Sequence, residues 1–169
     1  MKAKKLTRMA LLAAVALGIF VLEAQLPPLL PVPGVKLGLA NIVTVYAVFA
    51  LGPWEATAIL AVRMLLGAAC TGQVMGLLYA AAGGTLALAV TAVLRRALKR
   101  KQIWVAGCLG AVAHNLGQLA VAVAVTRTPA LIGYLPVLVA AGLAAGLFTG
   151  LAAQALLARL DRVRPGAGA

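Results

Sequence analysis

Six long apolar runs, separated by short breaks, constrain the fold of this chain more than any other feature. They cover residues 6–22, 37–51, 56–70, 74–94, 103–125 and 134–157. A helix needs about 20 apolar residues to cross the hydrocarbon core of a bilayer. The second and third runs are shorter, which predicts helices that are tilted, extended past these bounds, or buried among neighbours in a locally thin bilayer. We expect an all-α integral membrane protein with about six transmembrane helices.

The scarcity of charge supports lipid as the main solvent. Hydrophobic residues make up 64% of the chain and charged residues 11%, whereas a soluble domain carries about 25% charged residues. The acids number only three: Glu23, Glu55 and Asp161. We expect one transmembrane domain over 1–169, with no metal and no cofactor, because no carboxylate pair, Cys/His ligand spacing or phosphate loop is present.

Basic residues predict the orientation. Twelve of the fifteen lie in three clusters, which precede the first run, fill the break after the fourth and follow the sixth. With six crossings the three clusters share one face, which the positive-inside rule makes cytoplasmic. The basic N-terminus (1–5) and the tail (158–169) are then both cytoplasmic. This placement accounts for the net charge of +12 without nucleic acid, since no aromatic residues interleave the basic ones.

A proline-rich segment joins the first two runs and falls on the outer face in this topology. It contains Pro27, Pro28, Pro31, Pro33 and Gly34. Proline disfavours helix at the preceding residue, yet the intervening residues are apolar, unlike those of a solvated linker. The segment predicts an ordered loop that gates an outer pocket. A stiff connector is the alternative.

Polar residues inside the runs predict a binding pocket. An ionisable residue at membrane depth costs at least about 2.5–3.5 kcal/mol, so Arg63 is a functional candidate by default. Three further polar residues lie in the fifth run: His114, Asn115 and Gln118. His114 and Gln118 are spaced i, i+4, so they share one face of a helix. In the six-helix topology Arg63 and His114 lie near the middle of the membrane. Asn41 and Gln118 lie about one helical turn closer to its outer face. The alternative is that these side chains only link helices.

Small residues at four-residue spacing predict close helix contacts. Such residues clear one face of a membrane helix, so that another backbone can approach. The sixth run carries Gly142, Gly146 and Gly150, and the first carries Ala10, Ala14 and Gly18. The glycines predict helix packing, with the partner helix left open. The first-run stripe predicts the same kind of contact, with a helix of this chain or of another protein.

Several motifs resemble a known family. They are TRMALLAA, PPLLPVPGVKLGLANIVTVYA, FALGPWEA, TGQVMGLLYAAAGG and GAVAHNLGQL. Together they resemble the Gx transporter family, also described as heptaprenyl diphosphate synthase component I, over about residues 5–157. That family is similar in turn to the substrate-binding (S) components of energy-coupling factor (ECF) transporters.

The resemblance implies a bundle that captures a vitamin- or cofactor-like molecule from outside. Such S components act with a transmembrane T component and two cytoplasmic ATPases, here in a bacterial plasma membrane. Their first helix carries an Ala-x-x-x-Ala stripe against the T component, which Ala10 and Ala14 match. No substrate motif of other S components carries over.

The synthase description implies a different function. A prenyl diphosphate synthase holds Mg²⁺ through several carboxylates, and this chain has one Asp. We therefore expect a non-enzyme that binds a small molecule, with Arg63 supplying charge and the other polar side chains hydrogen bonds. The solute is expected to be amphipathic and anionic, or rich in hydrogen-bonding groups. The alternatives are a non-catalytic membrane subunit of heptaprenyl diphosphate synthase in isoprenoid quinone synthesis, and a passive channel or scaffold.

Overall fold

A computed structural model describes residues 2–25, 38–72 and 74–163 of the chain, and these residues form six α-helices without strands. The helices are α1 (Lys2–Gln25), α2 (Asn41–Ala50), α3 (Pro53–Thr71), α4 (Val74–Leu94), α5 (Ile103–Thr126) and α6 (Leu135–Val163). Short 3₁₀ turns precede α5 and α6. The predicted all-α membrane class is confirmed. The gating loop predicted at Pro27, Pro28, Pro31, Pro33 and Gly34 lies outside the described residues.

Five of the six helices are long and apolar enough to cross a membrane, and α2 is not. Its ten residues rise about 15 Å, half of the roughly 30 Å hydrocarbon core. The second run is thus short for a full span, as its length predicts, and of the three explanations burial among neighbours fits α2, because six of its ten residues are buried. Gly38 takes a left-handed φ of 72° ahead of the helix, and a Gly52-Pro53 break follows it. Helix α3 extends past both ends of the third run, 56–70, since it begins at Pro53 and has 19 residues.

Two ion pairs and one close approach bring helix ends together on one face, which we call the basic face. Lys5 at the start of α1 pairs with Glu55 at the start of α3. Arg100, just before α5, pairs with Asp161 near the end of α6. Gly52 lies close to the guanidinium of Arg95, which follows α4. Successive helices therefore run in alternating directions, as the three basic clusters predict.

Glycines let α5 pack tightly against α6. A Cβ added at Gly107 would lie 2.5 Å from the carbonyl oxygen of Gly146 and 2.5 Å from Cα of Gly150. A Cβ at Gly150 would lie 2.7 Å from Cα of Trp104, and one at Gly142 would lie 3.1 Å from Cα of Val112. Real Cβ atoms essentially never come as close as the distances at Gly107 and Gly150, and the distance at Gly142 is tighter than most real contacts. The glycines therefore bring backbone against backbone. The three glycines of α6 thus have their partner helix within this chain.

The opposite side of α5 packs in the same manner on α4. A Cβ at Gly117 would lie 2.6 Å from the carbonyl oxygen of Ala82, and one at Gly83 would lie 2.8 Å from that of His114. α5 is consequently the central helix, with much of its length buried. Helices α1, α2 and α3, together with Leu88 of α4, form an apolar cluster around Val48, Ile59 and Leu60.

Candidate functional site

Arg63 is buried in the bundle rather than turned toward the basic face. Arg63 is 4% exposed. It lies about two turns along α3 from Glu55, away from the basic face. The guanidinium lies over the ring of Phe20, 5.9 Å from its centroid, and interacts electrostatically with Glu23. Gly84 on α4 lies beside it, since a Cβ there would lie 3.7 Å from Nη2, an ordinary contact distance. The buried cation thus has both an aromatic and an anionic neighbour.

Glu23, near the end of α1, ties the start of α2 into this region. The backbone N–H of Gly38 donates to its Oε1 at 2.5 Å, and that of Leu39 donates to its Oε2 at 3.1 Å. The carboxylate is buried, so these donors and the nearby Arg63 compensate its desolvation. The side chain therefore fastens the end of the proline-rich connection to α1.

His114 and Asn41 meet beside Gly38. A Cβ at Gly38 would lie 3.1 Å from Asn41 Nδ2, 3.2 Å from His114 Cδ2 and 3.3 Å from His114 Nε2. The other side of the imidazole faces α4, where a Cβ at Gly83 would lie 2.9 Å from Nδ1 and 3.0 Å from Gln118 Cγ. Both glycines are needed for this approach. The structure thus gathers one group from four helices, which we call the polar cluster: Glu23, Asn41, Arg63, His114 and Gln118.

Several atoms of the polar cluster are buried without hydrogen-bond partners among the described residues. They are Nδ2 and Oδ1 of Asn41, Nε of Arg63 and Nδ1 of His114. Nδ1 of His114 lies against the backbone of Gly83 on α4, so a further molecule would not reach it as readily as the other three atoms. A buried unsatisfied polar atom costs about 1–3 kcal/mol. The atoms of Asn41 and Arg63 therefore offer both donors and acceptors to a further molecule.

Asn115 lies outside the polar cluster, although the sequence places it among the candidates for binding. Its Nδ2 donates to the carbonyl oxygen of Leu138 at 2.8 Å. Adjacent residues of a helix point about 100° apart, so Asn115 faces α6 while His114 faces α4. Its side chain links α5 to α6.

The stripe predicted to dock a partner is exposed on α1. Ala10, Ala14 and Gly18 all lie on the surface of the bundle, and a Cβ at Gly18 would have no neighbour within 4 Å. The buried positions of this helix are instead Ala13 and Ala16, which pack in the apolar cluster with α2 and α3. Among the described residues the stripe has no helix packed on it.

Glu23 is the member of the polar cluster that the sequence analysis does not select. It stands at the edge of the first run, next to the prolines, where an acid is expected in solvent. The signal that points to it is the pairing rule for membrane interiors: a buried Arg needs a partner. Glu23 is the one acid of the chain outside the two basic-face ion pairs.

Together, the helices and the buried polar residues define the class as a multi-pass, all-α membrane protein with a polar site inside its bundle. The chain belongs to the family described as heptaprenyl diphosphate synthase component I, whose model matches residues 12–156. No curated protein and no solved structure matches it.

Proposed function

We propose that this protein is a non-catalytic membrane subunit that binds a small molecule at the polar cluster. The observation that carries the proposal is the set of buried, unpaired atoms on Asn41 and Arg63, which lie beside His114. A bundle held together only by apolar contacts has no reason to retain them, because each opposes folding. A bound solute that pairs with them offsets this cost.

The arrangement favours a solute rich in hydrogen-bonding groups over a simple anion. Glu23 already stands near Arg63 as its counter-charge. The unpaired atoms include donors at Arg63 Nε and Asn41 Nδ2 and an acceptor at Asn41 Oδ1. A molecule presenting both donors and acceptors would pair with all of them. We propose that the solute enters from the face opposite the basic one, past Gly38, because Gly38 lies beside Asn41 and His114.

The three acids support a non-catalytic role. Glu23 accepts from two backbone N–H groups, whereas Glu55 and Asp161 pair with different basic residues. Among the described residues no group of three or more His, Cys, Asp or Glu is placed to hold a metal ion. Diphosphate chemistry with Mg²⁺ needs several converging carboxylates. Any such chemistry would have to come from a partner.

Binding is tested on Arg63 and His114. We expect the wild type, purified in mild detergent, to retain a small molecule that mass spectrometry identifies. Occupancy by that molecule, per folded protein, should fall ten- to hundredfold in Arg63→Ala and His114→Ala, since losing one partner of a buried group costs about 1–3 kcal/mol. Arg63→Lys should retain more of the occupancy than Arg63→Ala but less than the wild type. Its ammonium keeps the charge but lacks the planar set of donors of the guanidinium.

Asn115→Ala is the matched control, a buried polar residue next to His114 that links helices. It should lower the unfolding temperature while occupancy per folded molecule stays unchanged. A wild type that retains no molecule, or equal occupancy in all four variants, would refute the assignment of the site.

Two kinds of partner agree with a non-catalytic subunit. The family description favours a prenyl diphosphate synthase, with this chain as its membrane component. The exposed stripe at Ala10, Ala14 and Gly18 is the feature that would dock the T component of an ECF transporter, with two ATPases beneath. In both cases the soluble partner, a synthase or the ATPases, would lie at the basic face, which we propose is cytoplasmic in a bacterial plasma membrane.

Co-purification distinguishes the two partners. If the protein captures a soluble prenyl synthase without ATPases, it is the membrane subunit of that synthase. Capture of a membrane protein with ATPases, abolished by Ala14→Trp, establishes the transporter subunit. Leu66→Trp, at an exposed position of α3, is the control for the bulk of the substituted ring.

A further inference from the structure

A groove opens at the basic face between α1 and α6, with α2 as its floor, and encloses about 320 Å³. α1 packs on α2 and α3, and among the described residues it does not contact α6. The groove is therefore a cleft between two membrane helices, separate from the polar cluster at the other end of α1. We call it the α1–α6 groove.

The walls of the α1–α6 groove change from cationic to apolar with depth. Arg8 and Arg100 line its mouth, together with Asp161. Arg100 is paired with Asp161, whereas Arg8 is exposed and has no ion pair among the described residues. One turn deeper, about 6 Å by helical rise, Leu12 lines the wall of α1, and Leu156 faces it from α6.

This gradient matches the structure of a phospholipid. The three charged side chains at the mouth sum to one positive charge, on the face that carries the basic clusters. Basic pockets between membrane helices on this side bind anionic headgroups, and each Lys or Arg near the surface contributes about 1 kcal/mol. Leucines below the cations suit an acyl chain. We propose that the α1–α6 groove binds an anionic phospholipid of the adjoining leaflet, with its phosphate at Arg8 and Arg100.

The probes for this site are phosphatidylglycerol and phosphatidylcholine, offered in equal amounts to the full-length protein and read by native mass spectrometry. The wild type should retain phosphatidylglycerol preferentially. Arg8→Gln should weaken its retention about fivefold, the factor expected for one basic residue near the headgroups. Leu156→Trp should reduce retention as well, by filling the apolar part of the groove.

Asp161→Asn gives the sharpest result, because the expected change is a gain. Removing this carboxylate frees Arg100 and raises the positive charge at the mouth, so retention of phosphatidylglycerol should increase. If the Arg100–Asp161 pair served only to join helix ends, the substitution would leave retention unchanged. Folding should survive it, because exposed ion pairs contribute little stability.

Arg96→Gln is the matched control, since Arg96 is an exposed basic residue of the same face that does not line the groove. It should leave retention unchanged. Equal retention of the two lipids, an Arg96→Gln effect equal to that of Arg8→Gln, or no gain in Asp161→Asn would overturn the proposal. A lipid-free dimer dissociated by Leu156→Trp would also overturn it, by showing that a second copy occupies the groove.

Discussion

At the scale of the residue, the polar cluster depends on two opposite charges buried in each other's field. Arg63 and Glu23 are both less than a tenth exposed, and each would be costly to bury alone. Glu23 also accepts from the N–H groups of Gly38 and Leu39. The pair therefore couples α3 and α1 to the start of α2.

We expect Glu23→Ala to destabilise the protein by about 3 kcal/mol or more, because it leaves the buried Arg63 without its counter-charge. Arg63→Leu should cost a comparable amount for the converse reason. The double variant should be less destabilised than the sum of the two, since no uncompensated charge remains. Thermal unfolding in detergent measures all three. Strict additivity would show that the two charges do not interact.

At the scale of the element, α5 owes its central position to glycines on two of its sides. Gly107 meets the backbone of α6 and Gly117 meets that of α4. Without these close approaches the helices would separate, and His114 would no longer reach both Gly38 and Gly83. The packing glycines and the polar cluster are thus parts of one arrangement.

Gly107→Ala tests this packing. The added methyl would lie 2.5 Å from backbone atoms of Gly146 and Gly150, which cannot move aside as a flexible side chain can. We expect a loss of about 1–3 kcal/mol, the usual cost of overpacking, seen as a lower unfolding temperature. Gly133→Ala is the control, because a Cβ at Gly133 has nothing within 4 Å. Equal effects of the two substitutions would contradict the packing argument.

At the scale of the whole molecule, the chain has its ionic contacts at one end and its buried polar cluster toward the other. The Lys5–Glu55 and Arg100–Asp161 pairs hold helix ends at the basic face. The α1–α6 groove opens there as well. Under the proposed function, a solute and a soluble partner would approach the protein from opposite ends of its helices.

Cysteine labelling in intact cells tests the orientation. In a background without Cys70 and Cys108, a single cysteine replacing Arg127 should react with an impermeant thiol reagent. One replacing Lys99 should not, because the basic face is expected to be cytoplasmic. Both positions are exposed, so accessibility within the protein does not decide the result. Reaction at Lys99 alone would reverse the orientation.

The sequence by itself determined the class of protein, the number of helices and the placement of the three basic clusters on one common face. These follow from hydropathy and charge along the chain, which depend on the solvent around each segment rather than on its neighbours. It also identified Arg63, His114, Gln118 and Asn41 as the polar residues that need an explanation. Spacing within one helix relates His114 to Gln118, but it sets no rotation of one helix against another.

Only the tertiary structure decided which of these residues meet. It turned Asn115 away to α6, brought Glu23 to Arg63, and paired Gly146 and Gly150 of α6 with Gly107 of the same chain. It also limited α2 to ten residues. Each of these outcomes depends on contacts between segments far apart in sequence, where the shape of one helix selects the rotation and depth of the next.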